Sequence, residues 1–130
     1  MKTEYDLAGK VIGLAMKVHS TLGAGFLESV YHRALAHEFT KAGIRFESEK
    51  PLNVIYDSVL VGEFTADLLV EQELIVELKA VQALATAHEV QTVNYLVATG
   101  IDTGLLINFG AERLEFKKKF RLAKPKPPAE

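Results

Sequence analysis

Two apolar runs, residues 61–70 (VGEFTADLLV) and 74–80 (LIVELKA), are separated only by Glu71-Gln72-Glu73, a spacing that favours two adjacent antiparallel strands joined by a tight turn. A turn centred on Gln72 sets positions 67 and 77 opposite each other, and opposed residues project from the same sheet face. Asp67 and Glu77 are therefore expected to be neighbours, with Lys79 further along that face and Leu78 directed to the other. Two directly opposed carboxylates repel, so a cation between them is the natural complement. Hard oxygen donors favour Mg²⁺ or Mn²⁺, whose remaining positions go to water and a phosphate. Taken alone, the same charges also read as a solvated strand face, with Asp67 merely ending a strand.

Helices are expected on both sides of this hairpin. Over residues 5–22, Leu7, Val11, Leu14, Ala15, Val18 and Leu22 recur at steps of three and four, and Gly23-Ala24-Gly25 ends the run. A second helix is expected over 26–41, with Leu27, Val30, Ala34 and Leu35 inward and Gly43 as its stop. Residues 46–57 read as extended, with Pro51 limiting where they pair and Asp57-Ser58 supplying a turn. A helix over 84–99 closed by Gly100, a buried strand over 104–109, and an alternating edge strand over 113–122 complete the pattern.

A chain of 130 residues suits one domain, taken as residues 1–122 followed by a Pro/Lys-rich tail at 123–130. The absence of cysteine excludes disulfides, thiolate-bound zinc and a cysteine nucleophile, so a metal must sit on oxygen or histidine. No run approaches the roughly 20 apolar residues that cross a bilayer, and no signal-type segment opens the chain; a cytoplasmic address and no membrane partner are expected. The net charge of -2 hides an asymmetry, because Arg113, Lys117, Lys118, Lys119, Arg121, Lys124 and Lys126 crowd the C-terminal end. Such a basic segment either steers a polyanion or simply solubilises the chain.

Three motifs lie on these elements. Asp67, nine intervening residues and then Glu77-Leu78-Lys79 resemble the D…ExK signature of the PD-(D/E)xK phosphodiesterases, with Ala66 where the superfamily's name has proline. Gln91-Thr92-Val93-Asn94-Tyr95 resembles the QxxxY motif of RecB-type nucleases, and Gly25-Phe26-Leu27-Glu28-Ser29-Val30-Tyr31 reads as GxxExxY. Together they make the chain similar to the GxxExxY protein family within that superfamily.

The resemblance implies an α/β, restriction-endonuclease-like core: a central mixed β-sheet flanked by helices, with two helices N-terminal to the sheet. It implies metal ligation by Asp67, Glu77 and the Leu78 carbonyl, with Glu28 as a further acidic ligand and Lys79 positioning the attacking water. Gln91 and Tyr95, one helical turn apart, would reach a substrate phosphate or brace the triad. His88 adjoins that face. His19 is a candidate near the metal, although a structural histidine is the stronger reading.

The function that follows is a Mg²⁺- or Mn²⁺-dependent phosphodiesterase acting on DNA or RNA. The alternative is a catalytically silent nuclease-fold module that binds nucleic acid or a protein partner. A hydrolase of a small phosphorylated molecule would use the same triad. A domain this small offers little surface for a duplex, which a homodimer or partner subunit would remedy, and strands 104–109 and 113–122 are candidates to extend a sheet across such a dimer.

Overall fold

A computed structural model describes residues 6–121. The elements are α1 (Leu7–Leu22), α2 (Glu28–Ala42), β1 (Phe46–Tyr56), β2 (Val59–Val70), β3 (Leu74–Lys79), α3 (Thr86–Thr99), β4 (Thr103–Asn108) and β5 (Glu115–Phe120). The five strands form one mixed sheet in sequential order, parallel between β3 and β4 and antiparallel elsewhere. The parallel pair requires a crossover, and α3 provides it. Two helices precede the sheet and the third packs on its other face, an α/β restriction-endonuclease-like arrangement. The expected start of the first helix at position 5, the expected end of the last strand at position 122, and the Pro/Lys-rich tail at 123–130 with Lys124 and Lys126 lie outside the described residues.

The layers follow from alternation. On β3, Leu74, Val76 and Leu78 face α1 and α2, where they meet Val11, Ala15, Val18, Tyr31, Leu35 and Phe39. Ile75 faces the other way, into a cluster with Leu69, Tyr95 and Leu96 under α3. With both faces covered, β3 reads as an almost unbroken apolar run. Gly104 lets α3 come close, since a Cβ there would lie 3.1 Å from Thr92 Cγ2.

One irregularity organises the sheet. Ser48 pairs with Leu68 and Lys50 with Ala66, but the intervening Glu49 and Asp67 drop out of the ladder, and Glu49 takes a left-handed φ of 53°. The register survives while the faces exchange. Phe64 and Ala66 pack with the α3 cluster, whereas Leu68 and Val70 pack under α1 and α2. Asp67 sits at the crossing point.

Several expectations are corrected by tertiary contacts. The inward face of α2 is Tyr31, Leu35 and Phe39; Leu27 is 77% exposed because the helix begins only after it, and Val30 and Ala34 are half-buried. The third helix starts at Thr86, not at 84, because His88 turns back on its N-terminus: the Ala85 amide donates to His88 Nδ1 at 3.0 Å and the His88 amide to the Ala85 carbonyl at 3.0 Å. The strand over 103–108 is internal, between β3 and β5, so it cannot extend the sheet into a second copy; β5 and β1 are the edges.

Candidate active site

The short turn sets the geometry. Glu71 and Gln72 both adopt positive φ, 52° and 59°, and the Glu73 amide donates to the Val70 carbonyl at 3.0 Å, a tight reversal. Pairing then runs Val70 with Leu74, Leu69 with Ile75 and Leu68 with Val76, the register centred on Gln72. Ladder pairing stops there, and side chains take over. The Asp67 amide donates to Glu77 Oε1 at 2.9 Å, and the Leu78 amide donates to Asp67 Oδ2 at 2.7 Å. Each carboxylate thus spends one oxygen on the opposite main chain and is held in place by it.

Asp67 Oδ1 and Glu77 Oε2 accept no hydrogen bond among the described residues. Glu77 is 4% exposed, and its burial, followed by the charge of Asp67, pushes its carboxyl up to about 8. Lys79 opposes that rise, and its ammonium forms no hydrogen bond or ion pair among the described residues. The Leu78 side chain is fully buried under α1 and α2, so only its main chain faces Asp67.

Two hard oxygen donors, one of them buried and driven toward protonation by its neighbour, fit a divalent cation. Magnesium commonly takes one or two carboxylates and leaves its other positions to water and phosphate. Among the described residues, no three His, Asp or Glu side chains are gathered to hold an ion. Glu28 opens α2 and acts on the pair through its charge; partial desolvation, then Asp67, raises its carboxyl while Lys79 lowers it.

Without added metal, the folded chain keeps Glu77 protonated where the unfolded chain ionises it. Stability should therefore fall as pH rises from 4.5 through about 8. Thermal melts in EDTA should lose several degrees across that window, and Glu77→Gln should flatten the slope. Mn²⁺ should raise the melting temperature more near pH 8 than near pH 5.5; an equal effect at both would contradict this account.

Tyr95 lies beside the pair. It stacks on Phe64 with ring centroids 4.3 Å apart, and its phenol is raised by desolvation and then by the charges of Glu77 and Asp67. Gln91, one turn earlier, is exposed. His88 is engaged in the α3 N-terminus, as described. His19 Nε2 donates to the Ala111 carbonyl at 2.9 Å, which ties α1 to the loop after β4.

Two sets of positioning residues went unrecognised in the sequence. Tyr31 is fully buried, stacked on Phe109 at 4.7 Å; its hydroxyl donates to the Gly23 carbonyl at 2.6 Å and accepts from the Phe26 amide at 3.1 Å. It pins the α1–α2 loop and with it the approach to Glu28. Tyr31→Phe keeps the stack and orphans both partners, so a loss of about 1–3 kcal/mol is expected in chemical denaturation. An unchanged denaturation midpoint would show that the loop does not depend on this hydroxyl. A presence of buried tyrosine within GxxExxY was the available signal.

The second set holds the exit of β3. Asn108, fully buried, accepts from the Val81 and Gly110 amides at 2.9 and 3.0 Å and donates to the Val81 carbonyl at 2.9 Å and Glu115 Oε1 at 2.7 Å. The Phe109 amide donates to the Lys79 carbonyl at 2.8 Å. A Cβ at Gly110 would collide with the main chain of Ala80 and Val81. Nothing in the local pattern around Asn108 announces this.

A family model described as the PD-(D/E)XK nuclease superfamily matches residues 5–120. The chain belongs to that superfamily. Among solved structures, the crystal structure of SSO0001 is similar over 75% of this chain, with a TM-score of 0.60 and 16% identity. That likeness concerns the fold, and this PD-(D/E)XK chain spans about half, 52%, of the SSO0001 chain. No curated protein matches the sequence. No helix among the described residues of this superfamily member is long and apolar enough to cross a membrane.

Proposed function

We propose that the protein is a divalent-metal-dependent nuclease of the GxxExxY type, with Asp67 and Glu77 as metal ligands and Lys79 as the residue that positions the attacking water. The observation that carries this reading is the reciprocal locking of Asp67 and Glu77 at the sheet's crossing point, with an uncommitted Lys79 beside them. Membership of a nuclease superfamily supports the reaction class.

The ion, Mg²⁺ or Mn²⁺, would be held by the free oxygens of Asp67 and Glu77 and the Leu78 carbonyl, with Glu28 as an outer acidic group. When bound, it supplies positive charge to the phosphate and acidity to water. Lys79 orients the nucleophile and shares the negative charge that develops on the phosphate. Tyr95 and Gln91, as the QxxxY pair, border the approach on α3, and Tyr95 braces the carboxylates through its stacked ring. The partner is nucleic acid.

The test is cleavage of labelled single- and double-stranded DNA and RNA by wild type and Asp67→Asn, with Mg²⁺, Mn²⁺ or EDTA. Cleavage that needs the metal and disappears in a folded Asp67→Asn protein is expected. No cleavage with any substrate and either metal would favour a silent binding module instead.

A further inference from the structure

Strand β5 forms an outer rim of the sheet, and its side chains follow an unusual alternation of aromatic and cationic groups. Phe116 and Phe120 are 41% and 57% exposed, large apolar rings that the fold leaves uncovered. Lys118 stands between them with Nζ 5.7 Å from the Phe120 ring centroid. These three residues pair with Ile107, Leu105 and Thr103 and so share one face, while Lys117 pairs with Leu106 and faces the other.

The neighbouring cations are already engaged. Lys119 Nζ lies 3.0 Å from Glu89 Oε1, and Arg121 lies 2.7 Å from Asp102 Oδ1. Lys117 and Lys118 form no ion pair among the described residues. Lys117 also stands in a row with the candidate site: it opposes Leu106, which opposes Glu77. Two interstrand spacings place it about 10 Å from Glu77 on the same face.

We propose that β5 is a binding rim for single-stranded nucleic acid, with unstacked bases lying on Phe116 and Phe120 and phosphates held by Lys118 and Lys117. Lys117 stands on the side of the rim nearer the carboxylates, in the row that ends at Glu77. This deepens the nuclease reading by naming the substrate class, and it rests on that reading for what happens after binding.

The chemistry discriminates among partners. A duplex hides its base faces and presents phosphates, so it has no use for two exposed phenyl rings. A single strand offers both a π-face and a charge at each nucleotide. The two rings lie four residues apart, about 13 Å, roughly four times the 3.4 Å rise of stacked nucleotides, which suits bases drawn out of a stack. A second copy is a poor occupant, because antiparallel pairing of β5 with itself would bring Lys117, Lys118 and Lys119 against their counterparts.

The experiment is fluorescence anisotropy of the full chain with labelled single-stranded DNA and RNA oligonucleotides, and with the same sequences as duplexes, in EDTA. Binding without metal separates this proposal from catalysis: intact single-strand binding with no cleavage under Mg²⁺ or Mn²⁺ would sink the nuclease reading alone. Single strands are expected to bind at least tenfold more tightly than duplexes. Phe116→Ala with Phe120→Ala should weaken single-strand binding at least tenfold, and Lys117→Ala should lower the salt slope by about one. Phe116→Leu with Phe120→Leu keeps apolar surface without a ring and should bind as poorly as the alanine pair. Because both side chains are exposed, circular dichroism and melting temperature should match wild type. Duplex binding as tight as single-strand binding, an alanine pair that binds normally, or a leucine pair that restores affinity would each overturn the proposal.

Discussion

Lys79→Ala is expected to slow metal-dependent phosphodiester cleavage by about 10²- to 10⁴-fold, the range for removing an electrostatic or proton-transfer group from a transition state. Its melting temperature should stay within about 2 °C of wild type. The two expectations separate because the Lys79 ammonium makes no hydrogen bond or ion pair among the described residues, so the fold gives up little when it leaves. What leaves with it is a positive charge felt by Glu77 and Glu28. Lys79→Arg preserves charge but replaces a compact ammonium by a planar fork and should recover only part of the rate. Single-turnover cleavage at saturating metal is the measurement, and a Lys79→Ala protein as fast as wild type would remove this residue from the chemistry.

Asn108→Ala is expected to cost about 3 kcal/mol or more, a fall in melting temperature on the order of 10 °C. The side chain satisfies two amides, one carbonyl and one carboxylate at a fully buried position, and alanine leaves all four facing a void. Asn108→Asp is the sharper comparison. It retains acceptors for the Val81 and Gly110 amides but turns a carboxylate toward the Val81 carbonyl and Glu115, so it should be destabilised most at neutral pH and recover on acidification. Urea denaturation at two pH values reads both effects. An Asn108→Ala chain with wild-type stability would mean that the Ala80–Val81 segment is held by other contacts.

Local pattern carried much of the architecture. The turn centred on Gln72, the reversal at Asp57-Ser58, α1 and β4 each rest on residues adjacent in sequence, and each stands close to where periodicity and turn chemistry put it. The neighbourhood of Asp67 and Glu77 followed from the same spacing. What escaped depends on contacts between distant segments. The buried face of α2 is chosen by Phe109 and Phe46, which stack on Tyr31 and tilt against Phe39. The exchange of faces at Glu49 and Asp67 has no signature in alternation, because both strands shift together. The partners of His19 and Asn108 lie 92 and 27 residues away, as far as Ala111 and Val81.

The three residues between Val70 and Leu74 act as a ruler for the candidate site. One residue added to or removed from that turn would rotate β3 by one step relative to β2, sending Glu77 into the apolar layer beneath α1 and α2 and presenting Leu78 to Asp67. The far turn at Asp57-Ser58 is under no such constraint, since β1 and β2 run together past the crossing point with β3 left behind. Lengths can therefore drift at one end of β2 while the other end stays fixed, and a chain of this fold can acquire a longer or shorter β1–β2 arm while Asp67 stays opposite Glu77.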